Sequence, residues 1–99
     1  LSITSMAKAE KLLHRRQTYR GGLIEMVIWR LPERSESWPH GLKYRLVYIR
    51  DRARVIGYDN ERGKGDHKHL GEREAPYHFT DVRTLLRDFW ADVRSLDDD

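Results

Sequence analysis

Only one segment of this chain carries a helical apolar stripe. In "TDVRTLLRDFWADVRSL" the residues Val82, Leu85, Leu86, Phe89, Trp90, Val93 and Leu96 recur at three- and four-residue spacing. That spacing sets them along one side of an α-helix of about four turns. Thr80 is the expected N-cap, with Asp81 at the positive end of the helix dipole. Residues 97–99 are three aspartates at the unfavourable end of that dipole and are expected to fray. A helix with one apolar side can cover only one layer, so the rest of the chain must supply a sheet for it to cover.

The remaining patterned segments are strand-like. "LIEMVIWRL" (23–31) is rich in β-branched and aromatic residues, with Glu25 and Arg30 its only charges, and reads as a central strand buried on both faces. "LKYRLVYIR" (42–50) alternates, with Leu42, Tyr44, Leu46 and Tyr48 on one side and Lys43 and Arg45 on the other. A tight turn at Asp51 leads into "ARVIGYD" (53–59), and "RGG" (20–22) marks a second hairpin back to residues 7–19. Those residues begin as a weak helix or disordered arm and become strand-like near Arg15. Residues 1–6 are set aside as an added or disordered leader. "PERSESWPHG" (32–41) is a loop. The expected fold is α+β: one domain with a small antiparallel sheet of about four strands and the C-terminal helix packed on one face.

Composition limits the functions open to such a fold. The chain has 99 residues, 38% of them apolar and 35% charged, so the core must be thin. With no cysteine, disulfides, thiolate metal sites and thiol catalysis are excluded, which fits a cytoplasmic location. No apolar run is long enough to span a membrane, and no signal peptide is evident. Residues 1–58 hold twelve Lys/Arg against five Asp/Glu, a balance of +7, and residues 59–99 hold seven against eleven, a balance of −4. A basic sheet-forming half favours an anionic polymer, although arginine also serves simply to solvate strands.

Between the last strand and the helix lies "GYDNERGKGDHKHLGEREAPYHF" (57–79), unpatterned and intensely polar. Of the 16 residues from Asp59 to Glu74, 11 are charged or histidine. Irregular connections of this length in small domains are functional more often than not, and Gly63, Gly65 and Gly71 suggest specified turns. In an extended backbone His67 and His69 share one side, while Asp66 and Lys68 share the other. Two imidazoles side by side can serve as general base and general acid near neutral pH. "RGKG" places Arg62 and Lys64 where they can hold a phosphate, but it lacks the GxxxxGK(S/T) spacing of a nucleotide-binding loop. A metal held by His-x-His with Asp59, Asp66 or His78 is opposed by Arg62, Lys64 and Lys68, so no metal and no cofactor is expected. Trp29, Tyr44 and Tyr48 read as core or cross-strand residues, Trp38 as the least core-like aromatic, and His14 and His40 as surface residues.

The string GYDN-x-x-GKGDH-x-H-x-G-x-x-E-x-PY-x-F, with "WPHGLKYRLVYI" before it and "LLRDFWADV" after it, resembles the TumE family of prokaryotic toxins. The resemblance runs from about Gly22 to Leu96. It implies a toxin–antitoxin component, a helix-turn-helix antitoxin as partner and RNA as target, with self-association left open. A sheet-plus-helix domain with basic strands is also how the ribonuclease toxin RelE is built, by analogy of fold. The expected chemistry is metal-independent: the RNA 2′-hydroxyl attacks the neighbouring phosphate, His67 takes the proton and His69 protonates the leaving oxygen. Lys64 and Arg62 would offset the phosphorane charge, Asp59 or Asp66 would orient an imidazole, and Lys43, Arg45, Arg52, Arg54, Lys68 and Arg73 would hold the backbone. The rival readings are a docking loop without catalysis and a nucleotidyl- or phosphoryl-transfer toxin.

Overall fold

The structure, a computed structural model, describes residues 8–61 and 63–97. Six antiparallel strands form one open sheet in chain order: β1 (Glu10–Tyr19), β2 (Gly22–Arg30), β3 (Leu42–Arg50), β4 (Ala53–Asp59), β5 (His67–Leu70) and β6 (Arg73–Pro76). The helix α1 (Val82–Ser95) follows. The sheet and the helix are as expected, but there are six strands rather than about four. The two additional strands lie inside the polar stretch, where nothing alternates. They are held by main-chain pairing with β4, His67 opposite Asp59 and Leu70 opposite Ile56, and not by any apolar pattern of their own.

Residues 10–19 are strand throughout, with no helical start; the leader at residues 1–6 lies outside the described residues, as do residues 98 and 99. Hairpin turns fall at Arg20–Gly21 and Asp51–Arg52, each with both residues at positive φ, which suits the right-handed twist of the paired strands. The helix is capped by Asp81 and not by Thr80, because the Asp81 carboxylate accepts from the Thr84 amide at 2.7 Å. That bond holds the Asp81 carboxyl below its ordinary value.

Leu85, Phe89 and Val93 of the helix pack on Ile24, Met26, Ile28, Tyr44, Leu46, Tyr48, Ile56 and Tyr58, which all project from one side of β2, β3 and β4. The stripe ends before Leu96, which is exposed beyond the helix. The opposite side of the sheet carries no helix among the described residues. Strand β2 is therefore buried on one face and not on two: Glu25, Val27 and Trp29 on the open side are only half-buried. Trp29 leaves the core and lies under the Lys11 ammonium, 5.0 Å from its ring centre.

Candidate functional site

Register alone brings three of the expected site residues together. Pairing of β4 with β5 sets His67 across from Asp59 and His69 across from Gly57, so both imidazoles emerge on the open side of the sheet. His67 Nε2 lies 2.6 Å from Asp59 Oδ1, and the two imidazole rings meet edge to face at 4.9 Å. The β5–β6 turn, in which Gly71 takes positive φ, then folds Glu74 opposite His69. Glu74 Oε2 comes to 3.2 Å from His67 Nε2 and 3.8 Å from His69 Nε2. Glu74 was not anticipated, although the hairpin "HLGERE" would have placed it once Gly71 was recognised as the turn.

His67 is 6% exposed and fully engaged. Its Nδ1 lies 3.0 Å from the Gly65 carbonyl oxygen, which can only accept, so Nδ1 carries a proton. Its Nε2 faces the two carboxylates. His69 is less occupied; burial and then the Arg54 guanidinium hold it below its ordinary value, which keeps it neutral near pH 7. Gly57 makes room for that guanidinium, since a Cβ there would stand 2.9 Å from Arg54 Cδ.

Two cavities flank the Asp59–His67 contact. One, of about 320 Å³, is lined by Val27, Trp29, Lys43, Arg45, Asp59 and Glu61, among others. The other, of about 390 Å³, is lined by Lys64, Asp66, His67, Glu74, Ala75 and Pro76.

A family described as Toxin TumE matches residues 4–97. The chain belongs to the TumE toxin family. The resemblance in the polar string therefore extends over nearly the whole chain, and the toxin family implies an antitoxin as partner. No curated protein and no solved structure matches the chain, and the RelE analogy has no structural match behind it. No helix among the described residues is long and apolar enough to cross a membrane.

The other expected site residues of the toxin are scattered. Asp66 turns away from His67 and accepts from Tyr44 Oη at 2.6 Å, with His40 Nε2 at 2.9 Å. Because His40 Nδ1 accepts from the Leu42 amide, its Nε2 bears the hydrogen and donates to Asp66. Each expected carboxylate thus holds an imidazole, but Asp66 holds His40, which is a structural clasp packed 4.2 Å from Phe79 and not a lone surface residue. Burial and then the Asp66 bond raise the Tyr44 phenol far above its ordinary value.

Lys68 points to the helix side, where it pairs with Asp92 at 3.5 Å and lies over the Tyr58 ring. It is thus separated from the two histidines by the sheet, as the strand alternation requires. Arg73 is opposite Leu70 and one step out of phase with Glu74. Arg52 sits in the β3–β4 turn, at the other end of β4 from Asp59. Lys43, Arg45 and Arg54 stand on the open side, with Arg45 directly across from Asp59. Arg62 lies outside the described residues.

Proposed function

We propose that this TumE toxin cleaves RNA laid across the helix-free side of its sheet. The observation that carries the reading is that Asp59, His67, His69 and Glu74 converge at the end of a face that carries Lys43, Arg45 and Arg54, with Glu25 paired to Arg45 and Glu61 in the adjoining cavity. Cations along a groove hold a phosphate backbone, while Val27 and Trp29 give the adjoining cavity an apolar floor against which a base can stack.

In this reading the 2′-oxygen of one nucleotide attacks its own 3′-phosphate and the 5′-oxygen of the next nucleotide leaves. The 2′-hydroxyl proton goes to the Asp59–His67–His69–Glu74 cluster, the departing 5′-oxygen takes a proton back from that cluster or from water to become a hydroxyl, and Lys64 and Arg54 offset the charge that builds on the phosphorane. The expected division of labour, with His67 as base and His69 as acid, sits poorly with the geometry. His67 has its Nδ1 committed to Gly65 and its Nε2 set against two carboxylates, and His69 lies below its ordinary value and so favours the proton-accepting form. The antitoxin would be a helix-turn-helix protein, as the family resemblance implies.

Incubation of end-labelled RNA with the purified toxin tests this. The expected products carry a 2′,3′-cyclic phosphate on one side and a 5′-hydroxyl on the other, and RNA methylated at the 2′-oxygen stays intact. His69→Ala and Asp59→Asn should abolish cleavage while leaving antitoxin binding in place. Cleavage of the 2′-methylated RNA would rule out 2′-hydroxyl attack. No cleavage under any cation, with or without ribosomes, would return the toxin to a docking or transferase role.

A further inference from the structure

We infer that Asp59, His67, His69 and Glu74 form a binding site for one divalent transition-metal cation. The inference deepens the RNA-cleavage reading, on which the role of the cation rests but its presence does not.

Three features point to a cation. The Asp59, His67 and His69 ligand atoms all lie within 4.8 Å of one another. Glu74 Oε2, at 3.2 and 3.8 Å from the two imidazole Nε2 atoms, stands beside that group as the side chain that could supply a fourth donor. Donors held at about 2.0–2.1 Å around a tetrahedral ion stand roughly 3.3 Å apart, the middle of that range of separations.

The second feature is an unsatisfied buried atom. Asp59 Oδ1 is shut off from solvent and has no hydrogen-bond partner, although His67 Nε2 is only 2.6 Å away. The approach is close, but the ring N–H direction misses the oxygen. A protonated Nε2 would be expected to aim its hydrogen at that carboxylate. Nδ1 already donates to Gly65, and an Nε2 without a hydrogen would present a lone pair to the oxygens of two carboxylates. Such an arrangement is repulsive unless a positive charge sits between the atoms.

The third feature is the Gly65 carbonyl itself. A main-chain oxygen that accepts from Nδ1 fixes the tautomer whose Nε2 is free to ligate, as is usual for metal-binding histidines. Charge also balances, because two carboxylates and two neutral imidazoles neutralise one divalent ion. The repulsion expected from Lys68 is absent, since that residue is on the other side of the sheet. Arg54 stays near His69, Lys64 lines the adjoining cavity and Arg45 stands across from Asp59, so it is the donor geometry and not the surrounding charge that favours the ion. Imidazole and carboxylate donors together suit zinc, manganese or ferrous iron rather than magnesium or calcium. Glu74 is the outer ligand, with its side chain 47% exposed, so that is the position at which water or a phosphate oxygen can enter.

Isothermal titration of EDTA-stripped toxin with Zn²⁺ and with Mn²⁺, followed by Co²⁺ absorption, tests the site. One ion per chain is expected. Because the loss of an outer-shell partner alone weakens metal sites by 10–100-fold, Asp59→Asn and His69→Ala should each weaken binding by more than about 100-fold. Asp59→Asn keeps the side chain's size, and its circular dichroism reports whether the fold is intact. His78→Ala removes an exposed histidine outside the cluster and should leave the affinity unchanged. No 1:1 binding to the wild-type toxin, or equal binding to wild type and a folded Asp59→Asn, would overturn the inference. Stoichiometric binding without RNA cleavage would keep the site and remove the nuclease reading; cleavage in EDTA by toxin shown to bind no ion would do the reverse.

Discussion

Asn60 should be among the most expensive polar residues in this protein to lose. Strand β4 ends at Asp59, and β3 continues past it to Leu42 with two main-chain groups that still need partners. The Asn60 side chain supplies both. Its Oδ1 accepts from the Tyr44 amide at 2.9 Å, and its Nδ2 donates to the Leu42 carbonyl at 2.8 Å. One amide group thus stands in for the missing stretch of strand. At 1% exposure it admits little water to replace it.

Asn60→Ala leaves one buried N–H and one buried C=O unpaired, each costing about 1–3 kcal/mol, so the expected loss is about 2–6 kcal/mol. With an unfolding entropy of about 2.1 cal/mol/K per residue, about 3 kcal/mol lowers the Tm of a chain this size by roughly 15 °C. Urea unfolding of Asn60→Ala against wild type reads the loss directly. Asn60→Asp is the informative control. It keeps the acceptor for Tyr44 but turns a carboxylate oxygen toward the Leu42 carbonyl. At neutral pH it should be at least as damaging as alanine. Its gap to wild type should narrow at acid pH, where the protonated group can donate again. A loss below about 1 kcal/mol for Asn60→Ala would show that water reaches both groups and would refute the reasoning.

Two further outcomes are expected. Lys43→Gln with Arg45→Gln should weaken single-stranded RNA binding and lower the slope of log affinity against log salt by about 1.4, for two lost phosphate contacts. Stability should move by no more than about 0.5 kcal/mol, since both side chains are exposed; fluorescence anisotropy across a salt series checks the first and urea unfolding the second. In an alkaline titration followed by ultraviolet absorbance, Tyr44 and Tyr77 should stay protonated past the ordinary phenol value near 10, because burial and then the bonds to Asp66 and Asp88 raise both. The unfolded chain loses those protons first, so this part of the stability is complete below pH 10 and declines as pH rises above it; ionisation of both tyrosines near pH 10 in the folded protein would contradict the two bonds.

The legible parts of the fold were those with apolar periodicity. The helix stripe from Val82 to Val93 and the alternation of Leu42, Tyr44, Leu46 and Tyr48 both report burial against another layer, and burial is what periodicity encodes. Strands β5 and β6 escape that signal. "HKHL" is partly buried on both faces, and "REAP" is exposed throughout, with Pro76 and charges of the kind that protect a sheet edge. Their cohesion is main-chain pairing templated by β4, which leaves no mark in composition. At the site, the sharing of one face by His67 and His69 was legible because strand alternation is local. Asp59 is one of two carboxylates the sequence offers as the partner, and the register of β4 with β5 selects it; Glu74 was missed because it depends on a further turn. The rival carboxylate, Asp66, is adjacent to His67 in sequence yet faces Tyr44 and His40.

The split of charge between the two halves of the chain acquires a meaning in this register. The acidic half places Asp88 and Asp92 on the helix, where they accept from Tyr77 and Tyr58, while Asp92 also pairs with Lys68; beyond the helix Asp97 pairs with Arg20 and Arg50. These carboxylates are committed to holding the helix on the sheet. The opposite side keeps Lys43, Arg45 and Arg54 beside a cluster that holds Asp59 and Glu74. The outer face of the helix still carries the exposed Arg83, Arg87 and Arg94, so the two sides differ less in the sign of their charge than in where carboxylates converge. On the proposed reading Lys43, Arg45 and Arg54 would draw a backbone phosphate toward the cluster, while the cluster's own carboxylates would repel it. A site that draws in phosphates yet presents two converging carboxylates to them needs a positive charge at its centre, and in this fold no described lysine or arginine occupies that point. On the proposed reading, one cation would answer both the repulsion between phosphate and carboxylates and the unpaired oxygen of Asp59.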